Sequence, residues 1–178
     1  MKIIAIGGEP GAGKTSLVQR IIKSYNFVDK YNEYKLVPYL QYNNVYVLGK
    51  YDSDGYAQGT DRMSMAVQPA AVDFLNQIPK NSIVIFEGDR LFNSSYLTYC
   101  CKYDLDIIYL KTDSSIREQR YIERGSIQNK TWLSGRETKI SNILSNLELI
   151  FNIKTFMNNT ILEQNLVYEY IIEKVNNG

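Results

Sequence analysis

A glycine-rich stretch near the start of the chain carries the residues best suited to phosphate chemistry. It reads Gly8-Glu9-Pro10-Gly11-Ala12-Gly13-Lys14-Thr15-Ser16 and fits the pattern G-x-x-x-x-G-K-[ST]. Its glycines let the backbone turn its N–H groups inward around phosphate oxygens. Lys14 places a positive charge near the β- and γ-phosphates, and the Thr15 hydroxyl can join the shell of a Mg²⁺ ion. This stretch therefore predicts a nucleoside triphosphate site, with ATP and Mg²⁺ as the expected cofactors.

The segments on either side of this stretch are those that a phosphate-binding loop requires. Residues 2–6 are apolar and predict a buried strand, and a helix is predicted to begin at Thr15. The helix places Leu17, Val18 and Ile21 on one face. A glycine-rich turn that binds nothing is the alternative, but it would need neither the strand nor the helix.

A carboxylate and two further charged residues follow the apolar strand predicted for residues 82–86. Glu87 comes directly after that strand, where P-loop proteins hold Mg²⁺ directly or through water. A solvated strand end is the alternative interpretation. Asp89 and Arg90 could orient a substrate, or they could pair with each other. Because the chain has no histidine, a general base must be a carboxylate or, less readily, lysine or tyrosine.

Two arginines one helical turn apart offer positive charge for phosphoryl transfer. Arg120 and Arg124 share one face of a predicted helix, within a segment of about 112–139 that could form a lid over the site. The lid would bring cations onto the transferred phosphoryl group. A solvated helix side, paired with Glu118 and Glu123, is the alternative interpretation.

The order of the predicted elements indicates an α/β fold. Two runs rich in tyrosine and β-branched residues, 35–42 and 45–51, flank Asn43-Asn44 and predict a β-hairpin insertion. Strands alternating with helices after a phosphate loop predict a three-layer P-loop NTPase fold, with a mainly parallel sheet and this added hairpin. Further strands are predicted over 82–86, 105–110 and 153–157. Helices are predicted around 63–78 and 94–102, from 114, from about 130 to Phe151, and from a Thr160–Glu163 capping box to Val175.

Composition indicates a soluble globular protein. The 178 residues suit a single domain, 1–178, and no segment approaches the apolar length of a membrane helix. The chain enters a strand at once, so neither a signal nor a transit peptide is expected. Cys100 and Cys101 are adjacent, which favours reduced thiols and a cytoplasmic location. The net charge of +1 argues neither for nor against a nucleic-acid partner.

Two other classes of nucleotide-binding protein explain fewer of these residues. Residues 52–55 match the D-x-x-G pattern of a switch GTPase. Guanine selection, however, needs Asn-Lys-x-Asp at a strand end, and Asn129-Lys130-Thr131-Trp132 lacks the aspartate. A purely regulatory nucleotide-binding module would not need carboxylates and arginines around one edge of the sheet.

Several of these segments resemble the P-loop kinases of nucleosides and nucleotides. The segments are the phosphate loop, residues 86–90 and Arg120-x-x-x-Arg124. Residues 48–51, 59–64 and 132–139 are similar, more narrowly, to the phage hydroxymethyluracil DNA kinases, which phosphorylate the hydroxymethyl group of the base within DNA. This resemblance implies a Mg²⁺/ATP-dependent kinase acting on an alcohol, in the host cytoplasm if phage-encoded. A nucleoside or nucleoside monophosphate kinase is the alternative.

The resemblance also implies roles for individual residues. Among the candidate bases Asp52, Asp61 and Asp89 it favours the last two, and Asp61 is preferred because it joins the hairpin to the next helix. Capping that helix is the alternative role for Asp61. Outward tyrosines of the hairpin would stack on DNA bases, although tyrosine also simply suits strands. The expected catalytic residues are Lys14, Asp61, Asp89, Arg120 and Arg124; the substrate-binding residues are Tyr42, Tyr46, Tyr51, Arg62, Arg90 and Arg136; the metal ligands are Thr15 and Glu87.

Overall fold

The structure is a computed structural model that describes residues 1–34, 36–51, 58–126 and 129–177. The strands of these residues are β1 (Lys2–Gly8), β2 (Val28–Asp29), β3 (Tyr39–Tyr42), β4 (Val45–Leu48), β5 (Ile83–Glu87), β6 (Asp104–Lys111) and β7 (Ile153–Met157). The helices are α1 (Lys14–Lys23), α2 (Val67–Gln77), α3 (Ser94–Cys100), α4 (Ser114–Glu123), α5 (Lys130–Leu144) and α6 (Ile161–Asn176). Short 3₁₀ turns cover Thr60–Arg62 and Ile150–Asn152.

All of these strands join one sheet in the order β2-β3-β4-β5-β1-β6-β7. The five strands from β4 to β7 in that order are parallel, and β3 runs antiparallel to both of its neighbours. Side chains alternate between the two faces of a strand, so Ile3 and Ile4 enter different cores. Helices α2, α3 and α5 cover one face, and α1 and α6 cover the other. The predicted three-layer α/β fold with a mainly parallel sheet is confirmed.

The predicted hairpin is present and is part of the central sheet. β3 and β4 pair across a turn in which Asn43 has a φ of 51°, a left-handed conformation that asparagine tolerates. β4 then pairs in parallel with β5 and so extends the sheet. The sequence patterns missed the edge strand β2, which lies in a segment too polar to indicate a strand. Lys35, at the start of the predicted hairpin, lies outside the described residues.

The burial of the hairpin tyrosines contradicts the prediction that they face outward to stack on DNA. Tyr46 is only 6% exposed, and its ring packs against those of Tyr39 and Phe74, at 5.6 and 5.9 Å between centroids. Tyr42 is half-buried and lies 5.2 Å from the ring of Tyr25. Helices cover both faces of the sheet, so all residues of β4 and residues 39–40 of β3 are buried, whereas Gln41 and Tyr42 stay partly exposed.

The helix predicted to reach Phe151 ends earlier, at Leu144. Leu147 and Phe151 would lie on the inward face of the longer helix, but they are 82% and 95% exposed, whereas Leu149 is buried. The chain turns because Asn146 accepts a hydrogen bond from the Glu148 backbone N–H, which breaks the helical spacing. The capping box that begins α6 is confirmed. Within the described residues, no helix combines the length and apolarity needed to cross a membrane.

Replacing Tyr46 should therefore destabilise the fold. We expect Tyr46→Ala to lower the free energy of unfolding by about 3 kcal/mol or more, because it leaves a cavity among packed rings. Tyr46→Phe keeps the ring and loses one hydrogen bond from Gln41, so its cost should be about 1 kcal/mol. Urea unfolding of both variants measures the difference. An Ala variant as stable as the Phe variant would contradict the buried position.

Candidate functional site

The glycine-rich stretch forms a loop between β1 and α1. Gly11 and Gly13 have φ angles of 79° and 87°, which a side chain would disfavour, and Gly13 directly precedes α1. The loop therefore presents backbone N–H groups at a helix N-terminus, where anions bind. The Nζ atom of Lys14 donates to the carbonyl oxygens of Gly8 at 2.8 Å and Glu9 at 3.0 Å. The positive charge of Lys14 therefore lies beside the loop backbone, where the phosphate-binding pattern places it.

Side chains from distant parts of the chain hold this loop from behind. The carbonyl oxygens of residues 10–12 accept hydrogen bonds from Tyr121 at 2.6 Å, Arg120 at 3.0 Å and Asn158 at 2.6 Å. Carbonyl groups turned outward leave the N–H groups of the loop free to turn inward. The sequence did not indicate Tyr121 or Asn158, since no local pattern links residues of α4 or after β7 to the loop after β1.

The two arginines expected in a lid have different surroundings. Arg120 also donates to the carbonyl oxygens of Asn158 and Asn159, at 2.9 and 3.4 Å, so it fixes the phosphate loop to the end of β7. This fixed position does not match a swinging cation. Arg124, one turn later, is exposed and lines the cavity described below.

Glu87 ends β5 beside the phosphate loop and is buried. Its Oε1 atom accepts a hydrogen bond from the Thr15 hydroxyl at 3.0 Å, and its backbone carbonyl accepts one from Thr60 at 2.8 Å. A β-carbon at Gly59 would overlap Oε1, so glycine is required where the chain passes this carboxylate. Burial, partly offset by the charge of Lys14, raises the pKa of Glu87 to about 7.

These neighbours suit a magnesium ion bound together with a nucleotide. A threonine hydroxyl and a carboxylate are hard oxygen ligands, and Mg²⁺ usually takes few protein ligands in addition to phosphate oxygens and water. Thr15 and Glu87 would hold the ion, which would neutralise charge on the β- and γ-phosphates. A buried carboxylate with a raised pKa fits this role, because a bound cation stabilises its charged form.

Asp61 lies in the 3₁₀ turn at the same edge of the sheet. Its Oδ1 atom accepts a hydrogen bond from the backbone N–H of Asp89 at 2.6 Å. Burial, and then the charge of Asp89, raises the pKa of Asp61. The alternative role as a helix cap is wrong, since α2 begins at Val67 with Ala66 in the cap position.

Asp89 and Arg90 do not pair with each other. The carboxylate of Asp89 contacts Arg136 at 2.7 Å and Lys139 at 3.7 Å, and Lys139 also donates to the Asp89 carbonyl oxygen at 2.7 Å. Arg90 donates instead to the Met63 carbonyl oxygen at 3.3 Å. Asp89 therefore links the end of β5 to α5. Lys139 and Asp89 are 50 positions apart in the chain, so no local pattern indicates their contact.

One cavity of about 600 Å³ brings many of the predicted residues together. Its wall includes, besides the loop residues, Asp61, Glu87, Asp89, Arg124, Trp132 and Arg136. Tyr42, Tyr46, Tyr51, Arg62 and Arg90 do not line it. The hydroxyl of Tyr51 is nevertheless buried behind Gly59, and burial together with the charge of Glu87 raises its pKa. Asp52 and the D-x-x-G match fall outside the described residues.

The fold and this edge of the sheet define a P-loop NTPase domain. The decisive features are a phosphate loop between a central parallel strand and a helix, and a carboxylate ending the adjacent strand. A family model described as an AAA domain matches residues 4–170, so the chain belongs to that family. None of the curated proteins compared with the chain matches it.

The raised pKa of Glu87 predicts a pH-dependent stability. Because the folded pKa lies near 7 and an ordinary glutamate titrates near 4.5, folding favours the protonated acid. The stability contribution is complete below about pH 4.5 and is lost as the pH rises through 7, by up to about 1.4 kcal/mol per unit. Glu87→Gln mimics the protonated acid. Its stability should match that of the natural protein near pH 5 and exceed it at pH 8.

Urea unfolding in EDTA from pH 5 to pH 8 measures this difference. Adding Mg²⁺ and nucleotide should stabilise the natural protein at pH 8 more than the variant, since only the carboxylate binds the cation strongly. A constant difference between the two proteins across this range would contradict a buried, titrating Glu87.

Proposed function

We propose that the protein is a Mg²⁺/ATP-dependent kinase that transfers the γ-phosphoryl group to an alcohol. The observation that carries this proposal is the position of Asp61. It lines the cavity together with the phosphate loop, and the Asp89 N–H fixes one of its oxygens. A carboxylate held in this way beside the phosphate loop can accept the proton of an attacking hydroxyl, as phosphoryl transfer to an alcohol requires.

The residues of the cavity account for each part of the transfer. The acceptor oxygen attacks the γ-phosphorus, the bond from that phosphorus to the β–γ bridging oxygen breaks, and ADP leaves with those electrons. The proton of the acceptor hydroxyl passes to Asp61. Lys14 and the loop N–H groups stabilise the charge on the phosphates, and Arg124 adds a cation at the mouth of the cavity.

The family supports a kinase as the enzyme class. AAA domains of this type are found in P-loop kinases, including proteins similar to nucleotide and shikimate kinases. The acceptor we propose first is the hydroxymethyl group of hydroxymethyluracil in DNA. Two of the three segments behind that resemblance, 59–64 and 132–139, contribute Asp61, Trp132 and Arg136 to the cavity. A free nucleoside or nucleoside monophosphate is the second candidate acceptor.

Transfer of radiolabelled γ-phosphate from ATP tests the proposal. The acceptors compared are hydroxymethyluracil-containing DNA, unmodified DNA, free nucleosides and nucleoside monophosphates. Label in the modified DNA alone supports the first acceptor, and label in small molecules supports the second. Release of inorganic phosphate at the same rate with and without every acceptor would indicate a plain NTPase and contradict the proposal.

Lys14→Ala should lower turnover by about 10²-fold or more, because it removes a donor that stabilises charge in the transition state. The fold should persist, since the Nζ atom of Lys14 donates to loop carbonyls and the side chain is not part of either core. Lys23→Ala, an exposed lysine at the other end of α1, is the matched control and should retain activity. Equal turnover in the two variants would exclude the loop as the active site.

Asp61→Asn should separate proton transfer from nucleotide binding. We expect the single-turnover rate to fall by about 10²- to 10⁴-fold, the range for a general base, while ATP affinity stays within a few-fold. The Asn side chain can still accept the hydrogen bond from Asp89, so the melting temperature should change little. Asp73→Asn, at an exposed position of α2, serves as the control. A lower melting temperature with an unchanged rate would show a structural role.

A further inference from the structure

One face of α5 forms a wall of the cavity. Trp132, Arg136 and Ile140 follow one another at four-residue intervals, so they share a helix face, and all three line the cavity. The phosphate loop and Asp61 form other parts of the wall. A cavity of about 600 Å³ is within the size range of small-molecule sites, so a ligand beside the phosphates can reach this face of α5.

Charged contacts fix this wall relative to Asp61. Arg136 and Lys139 both hold Asp89, at 2.7 Å from Arg136 to its carboxylate and 2.7 Å from Lys139 to its carbonyl oxygen. The backbone N–H of Asp89 in turn holds Asp61 at 2.6 Å. The α5 wall and the carboxylate that faces the acceptor are therefore attached to the same peptide segment.

Trp132 is the large aromatic side chain of this wall. It is 41% exposed, although indole rings are usually well buried. The guanidinium carbon of Arg136 lies 5.0 Å from the centroid of its ring, a distance suited to a cation–π contact. Because Arg136 is also held by Asp89, this contact orients the ring at the cavity. An exposed, oriented ring of this kind can stack against a flat ligand.

We propose that Trp132 is a stacking platform for the base of the acceptor, which is therefore a nucleoside, either free or within single-stranded DNA. This inference deepens the proposed function and relies on it for the identity of the acceptor. Stacking of a base on an aromatic side chain contributes about 1–3 kcal/mol and does not require one particular base sequence. The neighbouring cations Arg124 and Arg136 suit a phosphate attached to the same nucleoside.

The chain of contacts assigns the platform to the acceptor. Arg136 touches both the Trp132 ring and Asp89, and Asp89 touches Asp61. The ring is thus connected to the residue that takes the proton from the acceptor. The hairpin tyrosines were first expected to stack on bases. Tyr46 is instead buried in the core, and Tyr42 packs against the ring of Tyr25.

Trp132 is the single tryptophan of the chain, so its fluorescence reports directly on a stacked base. The natural protein is titrated, without ATP, with hydroxymethyldeoxyuridine and with a single-stranded oligonucleotide containing hydroxymethyluracil. Excitation at the red edge of the tryptophan band limits absorption by the base. We expect saturable quenching by at least one of them, and the tighter binder identifies the source of the base. Glycerol, an alcohol without a base, should give no quenching.

Substitutions then separate stacking from folding and from chemistry. Trp132→Leu should raise the KM for the acceptor by about 5- to 150-fold, the equivalent of losing one stacked base, with ATP affinity unchanged by calorimetry. Trp132→Phe keeps a smaller ring and should recover part of the loss. Phe151→Leu removes a 95% exposed ring that does not line the cavity, so it should change nothing.

Two outcomes would overturn the platform. The first is saturable quenching by Mg²⁺-ATP with none by the nucleoside or the oligonucleotide, which would assign the ring to the nucleotide. The second is an unchanged acceptor KM in Trp132→Leu. Quenching by the nucleoside or the oligonucleotide without any phosphoryl transfer would instead leave the platform supported and contradict the kinase proposal alone.

Discussion

The parallel pairing of β1 with β5 is the constraint on which the site depends. It sets Ile6 beside Glu87, so the phosphate loop and a carboxylate leave the sheet at the same edge. Thr15, in the first turn of α1, then reaches that carboxylate at 3.0 Å. Because the carboxylate is buried, its charged form is unfavourable without a cation. The position of Glu87 as a candidate metal ligand beside the phosphate loop thus follows from strand pairing.

The two sides of the cavity are held in different ways. On the phosphate side, Arg120, Tyr121 and Asn158 hold consecutive loop carbonyls, and these donors come from α4 and the end of β7. Such hydrogen bonds preorganise the loop before a nucleotide binds. On the other side, α5 buries Ile140 and Ile143 and is attached to the β5 end through Asp89. The α5 wall is therefore held both by apolar packing and by charged contacts.

A segment rich in aromatic residues is not necessarily the segment whose aromatic side chains reach the cavity. The many tyrosines before residue 60 led to the prediction that some of them stack on bases. Tyr46, however, packs in the core beneath α2. The aromatic side chains among the described residues that line the cavity are Tyr121 and Trp132, both from segments whose composition does not indicate stacking. Asn129, in the segment compared with a guanine-binding motif, caps α5 by accepting hydrogen bonds from the N–H groups of Thr131 and Trp132.

The sequence alone determined the phosphate loop, the α/β class, the parallel core strands, the capping box of α6 and the position of Glu87 at a strand end. These features depend on interactions within a few residues: glycine conformations, alternation along strands and cap hydrogen bonds. Tertiary structure alone decided that Asn158 supports the loop, that Lys139 holds Asp89 and that Tyr46 is core. These contacts are between residues far apart in the chain, or they depend on which surfaces other helices cover. No local sequence pattern predicts either of them.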